Sequence, residues 1–163
     1  MGSVARPPFG GPNFARLGNR LRRENREYRV IHQVRDPLKT ISTFQRAGSK
    51  SWNYIYKHIP FINWDTPLIV RSMNYWLYWS VMAEGISTAR FKVENMSIVL
   101  QKFCVAIGRP ALFHMANWLL STPKNVNTRK GHYKPLTWDM LFEADKDLAE
   151  QIVKKGRSYG YSI

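Results

Sequence analysis

The sequence predicts an α/β domain, mostly helical by residue count, around a small parallel sheet. Two short β-branched segments, Tyr28–Val34 and Ala89–Val93, are separated by helical patterns, and that alternation builds parallel strands. Asp36-Pro37 follows the first strand directly, pairing an N-cap residue with a first-turn proline. The 163 residues are 44% hydrophobic and 13% aromatic, enough for one packed core and unlike a disordered or collagen-like chain. Two strands are few for a self-standing sheet of this class.

The elements follow in order. Residues 1–20 hold four glycines and three prolines, so they read as an extended arm leading into a basic helical turn around Leu17–Glu27. The strand Tyr28–Val34 comes next, then a helix from Pro37 to about Ala47, closed by Gly48. Ser51–His58 reads as a short helix and Pro60–Asn63 as a loop. Asp65-Thr66-Pro67 opens a helix whose apolar face carries Leu68, Ile69, Met73, Trp76, Leu77 and Val81, ending at Gly85. After the strand Ala89–Val93, a helix with Val99, Leu100, Phe103, Cys104 and Ile107 at helical spacing stops at Gly108 and Pro110. Phe113–Leu120 is a short apolar helix, Ser121–Pro135 a basic loop, and Trp138–Arg157 one amphipathic helix before Tyr159-Gly160-Tyr161.

Twenty-five Lys and Arg against eleven Asp and Glu give a net charge of +14, which points toward polyanionic partners. The Arg-rich, acid-poor stretch before Glu24 fits a contact with nucleic acid or anionic lipid, a solvated helix or an organelle transit segment. One cysteine, Cys104, excludes a disulfide framework and multi-cysteine metal sites, and favours an intracellular, reducing compartment, cytoplasmic or organellar, over secretion. No apolar run reaches the roughly 20 residues that span a bilayer. His32, His58, His114 and His132 lack metal-ligand spacing, so no metal is expected. His32 reads as a core or strand-edge residue, the Trp/Tyr stripe of the Pro67–Gly85 helix as packing, and Lys154-Lys155-Gly156-Arg157 as a basic helix end.

The strand-to-helix junction Val34-Arg35-Asp36-Pro37 is the main candidate for chemistry. Ligands of open parallel sheets gather at strand carboxyl ends, where a following helix offers free N–H groups. A guanidinium there suits bidentate phosphate binding, and Thr43 lies eight residues on. The alternative is a solvated Arg35 paired with Asp36.

VIHQVRDPLKTISTF resembles the 3′-phosphate-binding segment of sulfotransferases that use 3′-phosphoadenosine-5′-phosphosulfate (PAPS). That family places an arginine at a strand end and a serine eight positions later; here these are Arg35 and Thr43, with Ser42 as a substitute hydroxyl. Phe91–Met96 is similar to the family's Tyr-Glu-Asp-Leu segment, Arg129-Lys130-Gly131 to its basic loop over the 3′-phosphate, and Leu136-Thr137-Trp138 to the lead into its terminal helix. The resemblance spans about residues 27–163, leaving 1–26 as a basic arm. It implies a partial P-loop-type three-layer sandwich and a site for PAPS or 3′-phosphoadenosine 5′-phosphate (PAP) at Arg35, Ser42, Thr43, Arg129, Lys130 and Gly131.

The family's 5′-phosphosulfate loop, a glycine-rich turn with Lys and Ser/Thr, has no counterpart in residues 1–34. The chain is therefore expected to be an incomplete sulfotransferase-like domain with little turnover alone. The rival expectation is a non-catalytic basic subunit whose open sheet edge a protein partner covers.

Overall fold

The computed structural model describes residues 30–59, 61–95 and 135–163, with positions 99, 100, 102, 104, 105, 108 and 109. The arm 1–26, the 113–120 helix and the basic loop with Arg129, Lys130 and Gly131 lie outside the described residues. Most of what is described is helical, with one two-stranded parallel sheet.

Strand β1, Ile31–Val34, alternates so that His32 and Val34 are buried while Gln33 is exposed. It pairs in parallel with β2, Ala89–Lys92, in the register Ile31↔Ala89 through Val34↔Lys92. Parallel strands need a long crossover. Here the crossover is three helices: α1 (Pro37–Phe44), α2 (Ser49–His58) and α3 (Leu68–Ile86). After β2 comes a 3-10 turn, Val93–Asn95, and positions 99, 100, 102, 104 and 105 are helical. The described chain closes with α4 (Trp138–Ala144) and α5 (Lys146–Ser158).

Several expected boundaries move for identifiable reasons. β2 stops at Lys92 because Val93 already enters the turn. α1 ends at Phe44 rather than Ala47, and tighter bonds from Gln45 and Arg46 to the Ser42 and Thr43 carbonyls replace the last turn. Asp65 does not cap α3, whose N-cap is Pro67. Asn63 instead accepts from the Thr66 amide at 3.1 Å and its hydroxyl at 2.8 Å, organising the loop. The expected single helix 138–157 is two. Asp145 adopts extended backbone (φ −165°) and its carboxylate accepts from the Leu148 amide at 3.0 Å, starting α5 afresh.

Two apolar clusters hold these elements. The larger joins Val34 of β1, Ile41 of α1, Met73 and Trp76 of α3, Leu141 of α4 and Leu148, Ala149 and Ile152 of α5. Each fully buried aliphatic side chain here contributes about 1.5–3 kcal/mol. The smaller contains Trp52, Ile55, Ile59 and Ile62, flanked by Phe44, Tyr75 and Tyr78. On α3 the buried face includes two small polar residues, Ser72 and Ser80. Ser72 Oγ donates to the Leu68 carbonyl and accepts from Gln45 Nε2, both at 2.8 Å, so α1 and α3 meet across a satisfied hydroxyl. Among the described residues no helix is long and apolar enough to cross a membrane.

Candidate functional site

Three segments distant in sequence meet at the carboxyl end of β1. The chain leaves the strand at Val34, and Asp36 caps α1 by accepting from the Lys39 amide at 2.9 Å. The Asp36 amide in turn donates to Glu94 Oε1 at 3.2 Å, just beyond β2. The Tyr161 hydroxyl donates to Glu94 Oε2 at 2.9 Å. Lys92 donates to the Gly160 carbonyl, and its ammonium lies 4.6 Å from the Tyr161 ring centroid. Gly160 has φ +79°, a conformation that costs other residues energy and that turns the chain back from α5 toward β2.

Glu94 is held ionised. Burial acts to raise its pKa, but hydrogen bonds from its own amide, the Asp36 amide and Tyr161, with the Lys39 charge, bring it below the usual value. Burial, followed by the Glu94 hydrogen bond and charge, pushes the Tyr161 phenol up. Two amides at the α1 start, those of Asp36 and Lys39, are thus already bonded to carboxylates. Of the donors expected to be free for an anion at this helix start, these two are taken up by the protein's own acids.

Arg35 is exposed beside this junction, and no described side chain pairs with its guanidinium; Asp36 uses its carboxylate as the helix cap. A cleft of about 200 Å³ opens next to it. Gln33, Arg35 and Thr40 line one part, and Phe44, Tyr75 and Trp79 form an aromatic wall. The Phe44 and Tyr75 rings lie 4.3 Å apart, and Tyr75 and Trp79 5.9 Å apart. Burial, with a smaller effect from Tyr54, raises the Tyr75 pKa.

The expected hydroxyls are placed differently. Ser42 is buried, and its Oγ accepts from the Leu136 amide at 3.2 Å, tying α1 to the segment before α4. Thr43 is exposed, and its hydroxyl donates to the Lys39 carbonyl at 2.8 Å. The hydroxyl that shares the cleft with Arg35 is that of Thr40, which donates to the Asp36 carbonyl at 2.8 Å. Its place was signalled by helical spacing, since Asp36, Thr40 and Phe44 repeat every four residues. Tyr75 and Trp79 share the same spacing on α3. The sequence marks them as packing, but their half-buried rings also face the cleft.

His32 also lines the cleft; it is buried, and its Nδ1 has no partner among the described residues. Its ring meets Tyr159 edge-on at 5.7 Å. Burial lowers the His32 pKa; Glu84 opposes that shift, while Arg90 and Lys155 add to it. Glu84 accepts from Lys155 at 2.7 Å and Arg90 at 2.9 Å. The Arg90 guanidinium lies 4.5 Å from the Tyr159 ring centroid. Cys104 is buried, as its apolar helix position implies. Among the described residues no three His, Cys, Asp or Glu side chains form a metal-binding group. Compared with family models, curated proteins and solved structures, the chain gives no match.

Proposed function

We propose that this chain is a sulfotransferase-type domain of the P-loop three-layer class that holds the 3′-phosphate end of PAPS or PAP through Arg35. The meeting of Arg35-Asp36, Lys92-Glu94 and Gly160-Tyr161 carries the reading. The first two pairs belong to segments on which the sulfotransferase resemblance rests, the third ends the terminal helix that Leu136-Thr137-Trp138 leads into, and Glu94 bonds residues 58 and 67 positions away to bring them together.

The residues present fit one end of that nucleotide. A guanidinium beside an aromatic wall suits a phosphate next to a flat ring. The 200 Å³ cleft is smaller than the ~300–1,000 Å³ pockets that enclose a whole ligand, so it takes one ring or one phosphate group. Arg35 is the one Lys or Arg among the described residues lining it, and Arg129 and Lys130 are the candidates for further charge. When bound, PAPS supplies the sulfuryl group for transfer to a hydroxyl or amine. The chain's own part is to hold and orient the nucleotide, and turnover needs a phosphosulfate loop that residues 1–34 do not contain.

Calorimetric titration with PAP tests this. Arg35→Ala is expected to weaken binding at least about tenfold, as for loss of a charge-assisted hydrogen bond. Equal affinity in the two proteins, or no binding to either, removes the assignment.

A second reading, a non-catalytic subunit of a larger assembly, is favoured by two observations. Among the described residues the sheet has two strands, few for a self-standing sheet, and Asp36 and Glu94 already occupy helix-start amides. Isolation of a stable complex at native abundance, together with no PAP binding, selects it.

A further inference from the structure

The contact that seats the end of α5 on the sheet has a titratable group at its centre. His32 is 6% exposed and Tyr159 5%, and their rings meet edge-on. The groups around this pair come from β2, α5 and α3. Arg90 is the register partner of His32 on β2, and its guanidinium lies over the Tyr159 ring. Lys155 of α5 places its ammonium 5.9 Å from the same ring centroid. From α3, Trp76 packs edge-on against Tyr159 at 6.2 Å, and Ser80 and Glu84 face the Tyr159 hydroxyl. Glu84 is the one acid acting on His32 among the described residues, and it already accepts from both Lys155 and Arg90. A single carboxylate thus answers two cations. A proton on His32 adds a third positive charge in a buried place, where Nδ1 has no acceptor. A buried imidazolium without a free counter-charge is costly, so the neutral ring keeps the contact closed.

We propose that His32 is an acid-sensitive latch, whose protonation releases Tyr159 and the segment through Ile163 from the sheet while the rest of α5 stays docked. Tyr159 is the buried anchor of that segment, whereas the Tyr161–Glu94 and Arg157–Ile163 bonds lie in solvent and are weak. Leu148, Ala149 and Ile152, about two turns or more before Tyr159, belong to the larger cluster and hold α5 in place. Release parts Glu94 from Tyr161 and Lys92 from the Gly160 carbonyl, which opens the junction at the carboxyl end of β1. None of this depends on what Arg35 binds. In the open form His32 regains its ordinary value of 6.5, so opening gains ground as pH falls below that and levels off below the lowered value of the closed form. Burial acts to raise the Glu84 pKa, but the Lys155 hydrogen bond and charge, with Tyr159 and Arg90, bring it below the usual value, so Glu84 stays ionised while His32 titrates.

The test follows amide hydrogen exchange and the histidine ring signals by NMR on the full chain, from about pH 8 to about pH 4. The amides of Gly160 and Tyr161 donate to the Arg157 and Gly156 carbonyls at 2.8 Å and 3.1 Å in the docked end of α5. After correction for intrinsic exchange, their protection is expected to fall at least about threefold in step with the His32 ring titration, while Leu148 and Ile152 keep theirs. His32→Gln, which never takes a charge, should leave protection level across the same range. The match between ring titration and amide response is read in wild type alone, so it stands even where that variant fails to fold. Four results overturn the latch. Protection at Gly160 and Tyr161 stays level, falls equally at Ile152, follows carboxylate titration below about pH 4.5 instead, or still falls in folded His32→Gln.

Discussion

The two apolar clusters differ in composition and in the sequence distance they bridge. The larger is mainly aliphatic and joins β1 and α1 to α4 and α5, with Ser42 and Leu136 bonded across 94 residues. The smaller is ringed with aromatics and draws on a short stretch from Phe44 to Tyr78. The first fixes the strand end from which Arg35 projects. The second supports the exposed Tyr54, Phe61 and Trp64. One protein thus separates a long-range scaffold from a local platform, and substitutions should affect the two unequally.

Ile152→Ala should have the largest effect, about 2–5 kcal/mol in urea unfolding, because Ile152 is fully buried where α5 meets the rest of the core. Ile62→Ala is expected to open α2 to amide hydrogen exchange while β1 stays protected. Equal loss of β1 protection in both variants would merge the clusters into one cooperative unit. Ser42→Ala should cost about 1–3 kcal/mol by stranding the buried Leu136 amide, whereas Thr43→Ala should stay within about 0.5 kcal/mol. A reversed order in denaturant midpoints would return Ser42 to the list of free hydroxyls.

The next effect depends on pH. His32 is lowered from 6.5, so the unfolded chain takes up its proton first as pH falls. Its contribution is therefore intact above about pH 6.5 and lost as pH drops through the lower folded value. His32→Phe should flatten the stability profile there, as read by thermal unfolding from pH 8 to 5. The smallest effect is expected for Tyr161→Phe, less than about 1 kcal/mol because the Tyr161–Glu94 contact is solvent-exposed. Carboxylate titration by NMR should show Glu94 moving up toward its ordinary value.

Much of the architecture was legible because local rules govern it. The β-branched run before Asp36-Pro37 gave β1 and the start of α1, and the apolar spacing around Met73 and Trp76 gave α3. Asp145 was misread because Trp138–Arg157 is amphipathic throughout, and periodicity does not show that a side chain has turned to cap a new helix. At the site, Arg35 was placed at the strand end by the same reasoning. Glu94 and Tyr161 were legible only as members of separate segments, since a contact across 67 residues leaves no local periodicity. Ser42 looked available because sequence spacing cannot foresee the Leu136 amide.

The Ser42–Leu136 bond and the α5 packing also have a consequence for biosynthesis. A ribosome releases residues 44–78 early, and their neighbour-to-neighbour contacts can form at once. β1 and α1 must wait, half-covered, until Leu136 through Tyr159 emerge. During that interval their apolar faces are open to chaperones and to aggregation, so a translational pause before residue 136 should lower yield more than one after residue 159.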